Sequence, residues 1–211
     1  MSRLSVQNFA KLFEPLRYPS ACAALLTIVL GLFVADAAQA PLRHAALDAA
    51  GIGPARRLPS LGERARRGLA IGDLRCITAR RPVAAAHVEL FARGHVVIVP
   101  AGLGVAPPRR RAGAYVTGGR CRYPIWTSEP TGLVRLARRG LTLGDLFALL
   151  GQPLSPGRMA RWRATVRAHV GGVRWRGDPR RIPLMPRAQV VVQAGPPALR
   201  PNARYRFPAG L

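Results

Sequence analysis

Polar and apolar positions alternate over His87-Val88-Glu89-Leu90 and give way to apolar Phe91-Ala92, and His95 opens a second apolar run, Val96-Val97-Ile98-Val99, with Arg93-Gly94 between them. Two short strand-like runs, the second rich in β-branched residues, on either side of a short glycine turn predict a β-hairpin, which Pro100–Val105 ends. Two more strands are predicted at Tyr123–Thr127 and Gly132–Leu136. The period then changes. Leu143, Leu146, Phe147, Leu149 and Leu150 recur at helical spacing, Thr142 is placed to cap a free N–H, and Asp145 favours the positive end. Gly151 stops that helix. Thr165–Val170, Val173–Trp175 and Gln189–Gln193 then read as strands, and Pro196, Pro197 and Pro201 make the tail extended.

This order predicts one α+β domain over residues 83–211, a mainly antiparallel sheet with a single packed helix. A β-grasp-like roll is its expected form. Residues 106–120 read as an exposed basic loop, and residues 41–82 as a tether with a partly helical middle.

Upstream, the pattern loses its polar phase altogether. Between Arg17 and Asp36, 18 residues pass without a charge, roughly 27 Å of helix against a hydrocarbon core of about 30 Å. Residues 1–40 are therefore expected to form an N-terminal hydrophobic helix serving as a signal peptide or a membrane anchor. Arg3, Lys11 and Arg17 precede the run, and Ala35-Asp36-Ala37 and Ala38-Gln39-Ala40 offer small-x-small cleavage patterns. The basic leader favours a cytoplasmic N-terminus and an extracytoplasmic domain, secreted or held in the membrane by residues 21–35 if uncleaved.

Charge then narrows the partners. The chain carries 33 Lys+Arg against 9 Asp+Glu, a formal net charge of +24. Lys11 is the sole lysine, so the field is built almost wholly from arginine. Such a field attracts polyanions. Trp126, Trp162 and Trp175 stand among arginines, as on a base-stacking surface. Strand alternation gives the plainer account, with Trp inward and Arg outward. Export argues against DNA or RNA and for an anionic lipid or cell-surface polymer, with a protein partner as the other option.

Cys76 and Cys121 are the cysteines outside the apolar run. In an oxidising compartment they are most simply a disulfide, free thiols and metal ligation being the alternatives. No Gly-x-Ser-x-Gly, Ser-x-x-Lys or phosphate-loop motif is present, so the chain reads as non-enzymatic. Asp145 and Asp178 fit a helix start and a turn, which leaves Glu89 and Glu129 for acid–base or ligand roles. Ion pairing amid so many arginines is the plainer role. His87 and Glu89 share a strand face, and a His/carboxylate metal site forms if Glu129 and His169 approach it.

Pro100–Val105, Thr131-Gly132, Leu141–Phe147, Gly151-Gln152-Pro153-Leu154, Gly177-Asp178-Pro179 and Ile182-Pro183-Leu184, with Cys121 before a strand, carry a resemblance. On these landmarks the chain resembles a family of uncharacterised exported bacterial proteins whose His-x-His-x-His and His-Thr-His-Asp motifs look metal-binding. Here the first motif falls on Val83, Ala85 and His87, and the second on Trp126-Thr127-Ser128-Glu129, so one histidine of the set remains. The resemblance implies the fold and the exported setting. With no cofactor assigned, the expectation is a basic domain that binds an anionic surface component, with a degenerate metal-binding protein as the alternative.

Overall fold

A nine-residue strand, Ala84–Ala92, organises the chain, and both of its edges are used. The computed structural model describes residues 56–78 and 81–210, which lie within one unit, Asp48–Leu211. The expected N-terminal hydrophobic helix, and with it the signal peptide or anchor of residues 1–40, lies outside the described residues. Among the described residues no helix is long and apolar enough to cross a membrane.

In chain order the elements are β1 (Arg56–Arg57), α1 (Glu63–Arg66), β2 (Ala84–Ala92), β3 (His95–Ile98), β4 (Arg110–Ala112), β5 (Tyr115–Gly118), β6 (Ile125–Trp126) and β7 (Leu133–Leu136). There follow α2 (Leu143–Leu150), β8 (Leu154–Ser155), β9 (Arg158–Met159), β10 (Trp162–Arg163), β11 (Val166–Val170), β12 (Val173–Arg174) and β13 (Gln189–Ala194). Strands and a capped helix make the domain α+β.

The main sheet runs β1-β3-β2-β13-β11-β12. One edge of β2 pairs in parallel with β13, His87 opposite Gln189 through Ala92 opposite Ala194. Its other edge is shared. Ala84–His87 pair with β7, and Leu90–Ala92 pair with β3. The β2–β3 turn is Arg93-Gly94, both at positive φ (51° and 77°), the geometry that matches strand twist. Most pairings are antiparallel, with β2–β13 and β1–β3 parallel.

Alternation sorts the side chains. Ala86, Val88, Leu90 and Ala92 of β2 join Val190, Val192 and Ala194 of β13 and the apolar face of α2 in one buried cluster. The helix begins as its sequence dictates. Thr142 Oγ1 accepts from the Asp145 backbone N–H, and the Asp145 carboxylate accepts from the Thr142 N–H at 2.8 Å. Gly151 ends it in the left-handed conformation. Trp126 and Trp162 are buried, with Arg122 and Arg161 lying over their rings at 5.2 and 4.6 Å.

Two expectations are corrected. Residues 106–120 are not a loop, because β4 and β5 pair as a hairpin with a bulge at Arg110/Arg111. Runs of arginine hid its short alternation. Residues 56–78 are not a tether. Leu58, Leu61, Ala65 and Leu74 are buried in the main cluster. The Gly62 N–H donates to Leu149 O at 2.8 Å, and a Cβ on Gly62 would lie 2.8 Å from Gly151 Cα, so two glycines let α1 dock on the end of α2. Apolar residues spaced irregularly showed no period, although each reaches the core.

Cys76 and Cys121 are joined, with Cα atoms 5.4 Å apart. The bond ties the 56–78 segment to the strand region across 45 residues. Replacing both by alanine is expected to lower the unfolding free energy of the full chain by about 4 kcal/mol, the loop-entropy value for such a ring. Urea titration of the oxidised and variant proteins checks this, and equal midpoints would contradict it.

Candidate functional site

The face of the sheet turned away from α2 carries the polar residues that the sequence singled out. His87, Glu89 and Phe91 of β2 stand opposite Gln189, Val191 and Gln193 of β13, and His169 of β11 pairs with Val191. Residues directly opposed across strands share a face, so Glu89, Val191 and His169 form one row.

That face is roofed by the C-terminal tail. After β13 the chain turns at Gly195 and runs back along β2 without strand pairing. Leu199 exchanges two hydrogen bonds with the Gln193 amide, at 2.9 and 2.7 Å. Asn202 Nδ2 donates to both Glu89 oxygens at 3.1 and 3.0 Å. Tyr205 then stacks on the His87 imidazole, ring centroids 3.6 Å apart and 6° from parallel. Phe207 packs edge-on to Tyr205 and against Ala85 and Leu133. The tail thus meets Glu89, His87 and Ala85 in reverse order, and polar side chains rather than a ladder hold it.

His87 is 4% exposed. Its Nε2 donates to the Thr131 carbonyl at 2.8 Å, and Nδ1 lies 2.8 Å from Gln189 Oε1 and 3.7 Å from Glu89 Oε1. Both ring nitrogens are therefore engaged inside the protein. Glu129 is elsewhere. Arg135 Nη1 and Nη2 donate to its two oxygens at 2.9 and 3.2 Å, a bidentate, mostly buried pair. His169 lies two strands from β2, and burial first, then Arg174, lowers its pKa.

The structure brings His87 and Glu89 together but leaves Glu129 and His169 apart from them. Among the described residues no group of three His, Cys, Asp or Glu is placed to hold a metal. Ala85 of β2 and Trp126 of β6 both pair with Arg135 of β7, whose guanidinium holds Glu129.

Sequence reasoning missed Gln189, Gln193, Asn202 and Tyr205. Glutamines four apart in Gln189-Val190-Val191-Val192-Gln193 lie on one strand face, the signal for a buried polar stripe. Nothing local marks Asn202 or Tyr205, because their partners lie more than a hundred residues away.

A second set of side chains surrounds the β4–β5 hairpin. Strand alternation sends Arg110 to one side, where it lines a recess of about 220 Å³ with Arg81 and Arg122. Arg109 and Arg111 go to the other, where they line a recess of about 330 Å³ with Arg57 and Ser60. Arg109 is tied down by Nε donating to Val105 O (2.7 Å) and Nη1 to Ser60 Oγ (3.2 Å). Burial first, then Arg111 and Arg66, pulls its pKa below the usual arginine value. Burial, then Arg110 and Arg135, does the same to Arg122. Between described residues, arginine ion pairs join Arg135 to Glu129, Arg138 to Asp73 and Arg180 to Asp178.

Compared with protein-family models, with curated proteins and with solved structures, the chain matches none.

Calorimetric titration of the full chain with zinc is expected to give no one-to-one uptake that His87→Ala removes. Stoichiometric uptake lost in that variant would establish a metal centre under the tail.

Proposed function

We propose that this is a non-enzymatic, extracytoplasmic basic domain, anchored or released, that binds an anionic surface component through the arginine hairpin. The observation that carries the reading is the crowding of guanidinium groups around β4–β5. Arg109 and Arg122 are each depressed by burial and by neighbouring arginines. Arg110 and Arg111, on opposite sides of the hairpin, enter no ion pair among the described residues. Like charges held this close raise the free energy of the empty protein, and a bound anion relieves that repulsion.

A β-grasp-like roll is the architecture we infer. The order β3-β2-β13-β11-β12, with its parallel central pair and α2 between the two hairpins, supports it. Such a frame leaves β4–β5 as a two-stranded sheet of its own, seated on the domain by Val116 packing with Val105 and Trp126 and donating from its backbone N–H to Ser128 O. Export supports a lipid or cell-surface polymer over nucleic acid as the partner.

Linear polyphosphate serves as the test polymer. Its affinity for the full chain is expected to fall with salt, linearly on a log–log scale. Arg110→Gln with Arg111→Gln should reduce that slope by about 2, one for each contact removed. A salt-independent affinity, or a double variant with the native slope, would contradict the reading.

A further inference from the structure

The recess beside the disulfide is built for more than diffuse attraction. Its walls are Arg81, Arg110 and Arg122, with Thr78 and the backbone of Gly118 and Gly119 between them. Two of the guanidiniums are held by the fold. Arg122 Nη2 donates to Thr117 O at 3.0 Å, and its guanidinium carbon lies 5.2 Å from the Trp126 ring centroid. Arg110 lies flat on the hairpin where Gly118 has no side chain, since a Cβ there would strike its guanidinium. At Gly119 a Cβ would strike the carbonyl of Ala106. The paired glycines therefore let the backbone close up and leave the floor bare. Neither Arg81 nor Arg110 enters an ion pair among the described residues.

We infer that this recess is a binding site for a phosphate or phosphate-ester group. Resting on the polyanion reading above, it names the group recognised and the residues that recognise it. Planar forks of N–H donors match oxyanion geometry, and holding them in place before binding lowers the ordering cost. A cavity of about 220 Å³ takes one phosphoryl group and its ester oxygens but not an ordered stretch of polymer. The Thr78 hydroxyl supplies a neutral donor at the rim. Arg122 and Arg110 are the fixed anchors, while Arg81 closes on the anion from the chain before β2.

Inorganic phosphate is the first probe, added to the isotope-labelled full chain and followed by NMR. Saturable binding is expected, weakened about tenfold by Arg110→Gln. Arg167→Gln, the same charge change on an exposed strand position, should alter it less than about twofold. Arg110→Lys keeps the charge, loses the fork and should fall between them. Tryptophan fluorescence of each variant checks that the fold is kept. Equal effects of Arg110→Gln and Arg167→Gln, or no saturation, would overturn the site.

Polyphosphate and phosphatidylglycerol vesicles then distinguish the sources of the group. The partner that supplies it is the one whose binding Arg110→Gln weakens more than Arg167→Gln does. Polyanion binding with equal losses in both variants removes the recess and leaves the wider reading standing. Phosphate held without binding of either larger ligand leaves the recess standing and removes the wider reading.

Discussion

The parallel pairing of β2 with β13 is the constraint on which the rest depends. Two strands separated by nearly a hundred residues lie in register from His87–Gln189 to Ala92–Ala194. A parallel pair needs a crossover rather than a turn, and everything between the strands serves as that crossover. Because β13 takes one edge of β2, β3 and β7 must divide the other. That division sets where both later features lie, since β7 carries Arg135 against the outer face and β3 leads through Pro100–Val105 toward the hairpin. Thr127 Oγ1 bonds both Pro100 O (2.6 Å) and Leu103 N (3.1 Å), fastening that lead to β6.

The same pairing explains why the polar face is shut. Once β13 ends beside Ala92, the remaining tail has one apolar-and-polar surface within reach, the outer side of β2 and β13. Tyr205 and Phe207 cover His87, Ala85 and Leu133, while Asn202 and Leu199 satisfy Glu89 and Gln193. Buried polar groups need partners, and here the tail supplies those of Glu89 and Gln193, while His87 bonds Thr131 O and Gln189. A histidine and a carboxylate two residues apart, which suggest ligands in a bare sequence, are therefore part of the glue of a strap.

Periodic signals in the sequence were local, and what they described was legible. The first hairpin, its Arg93-Gly94 turn and the Thr142/Asp145 capping box each depend on residues within a few positions of one another. Elements set by distant partners were not legible. Leu58, Leu61 and Leu74 lack a period because each plugs a different part of the core, and Arg110 and Arg111 masked a strand because arginine carries no hydrophobic contrast. Glu129 was visible as a rare acid amid arginines. That its partner is Arg135, on the strand between β6 and β2, follows from the pairing of β7 with both.

Two faces thus compete for the role of binding surface, and physical chemistry separates them. Beneath the tail the polar groups are mostly satisfied internally. Around β4–β5 the guanidiniums repel one another, and among the described residues Arg110 has no carboxylate in an ion pair. The measurement that decides between the faces is a map of backbone amide shifts as polyphosphate is added to the full chain. The account predicts changes concentrated in residues 109–122, with those of 85–91 and 199–207 unmoved. Shifts at His87, Glu89 and Tyr205 with a silent hairpin would contradict it.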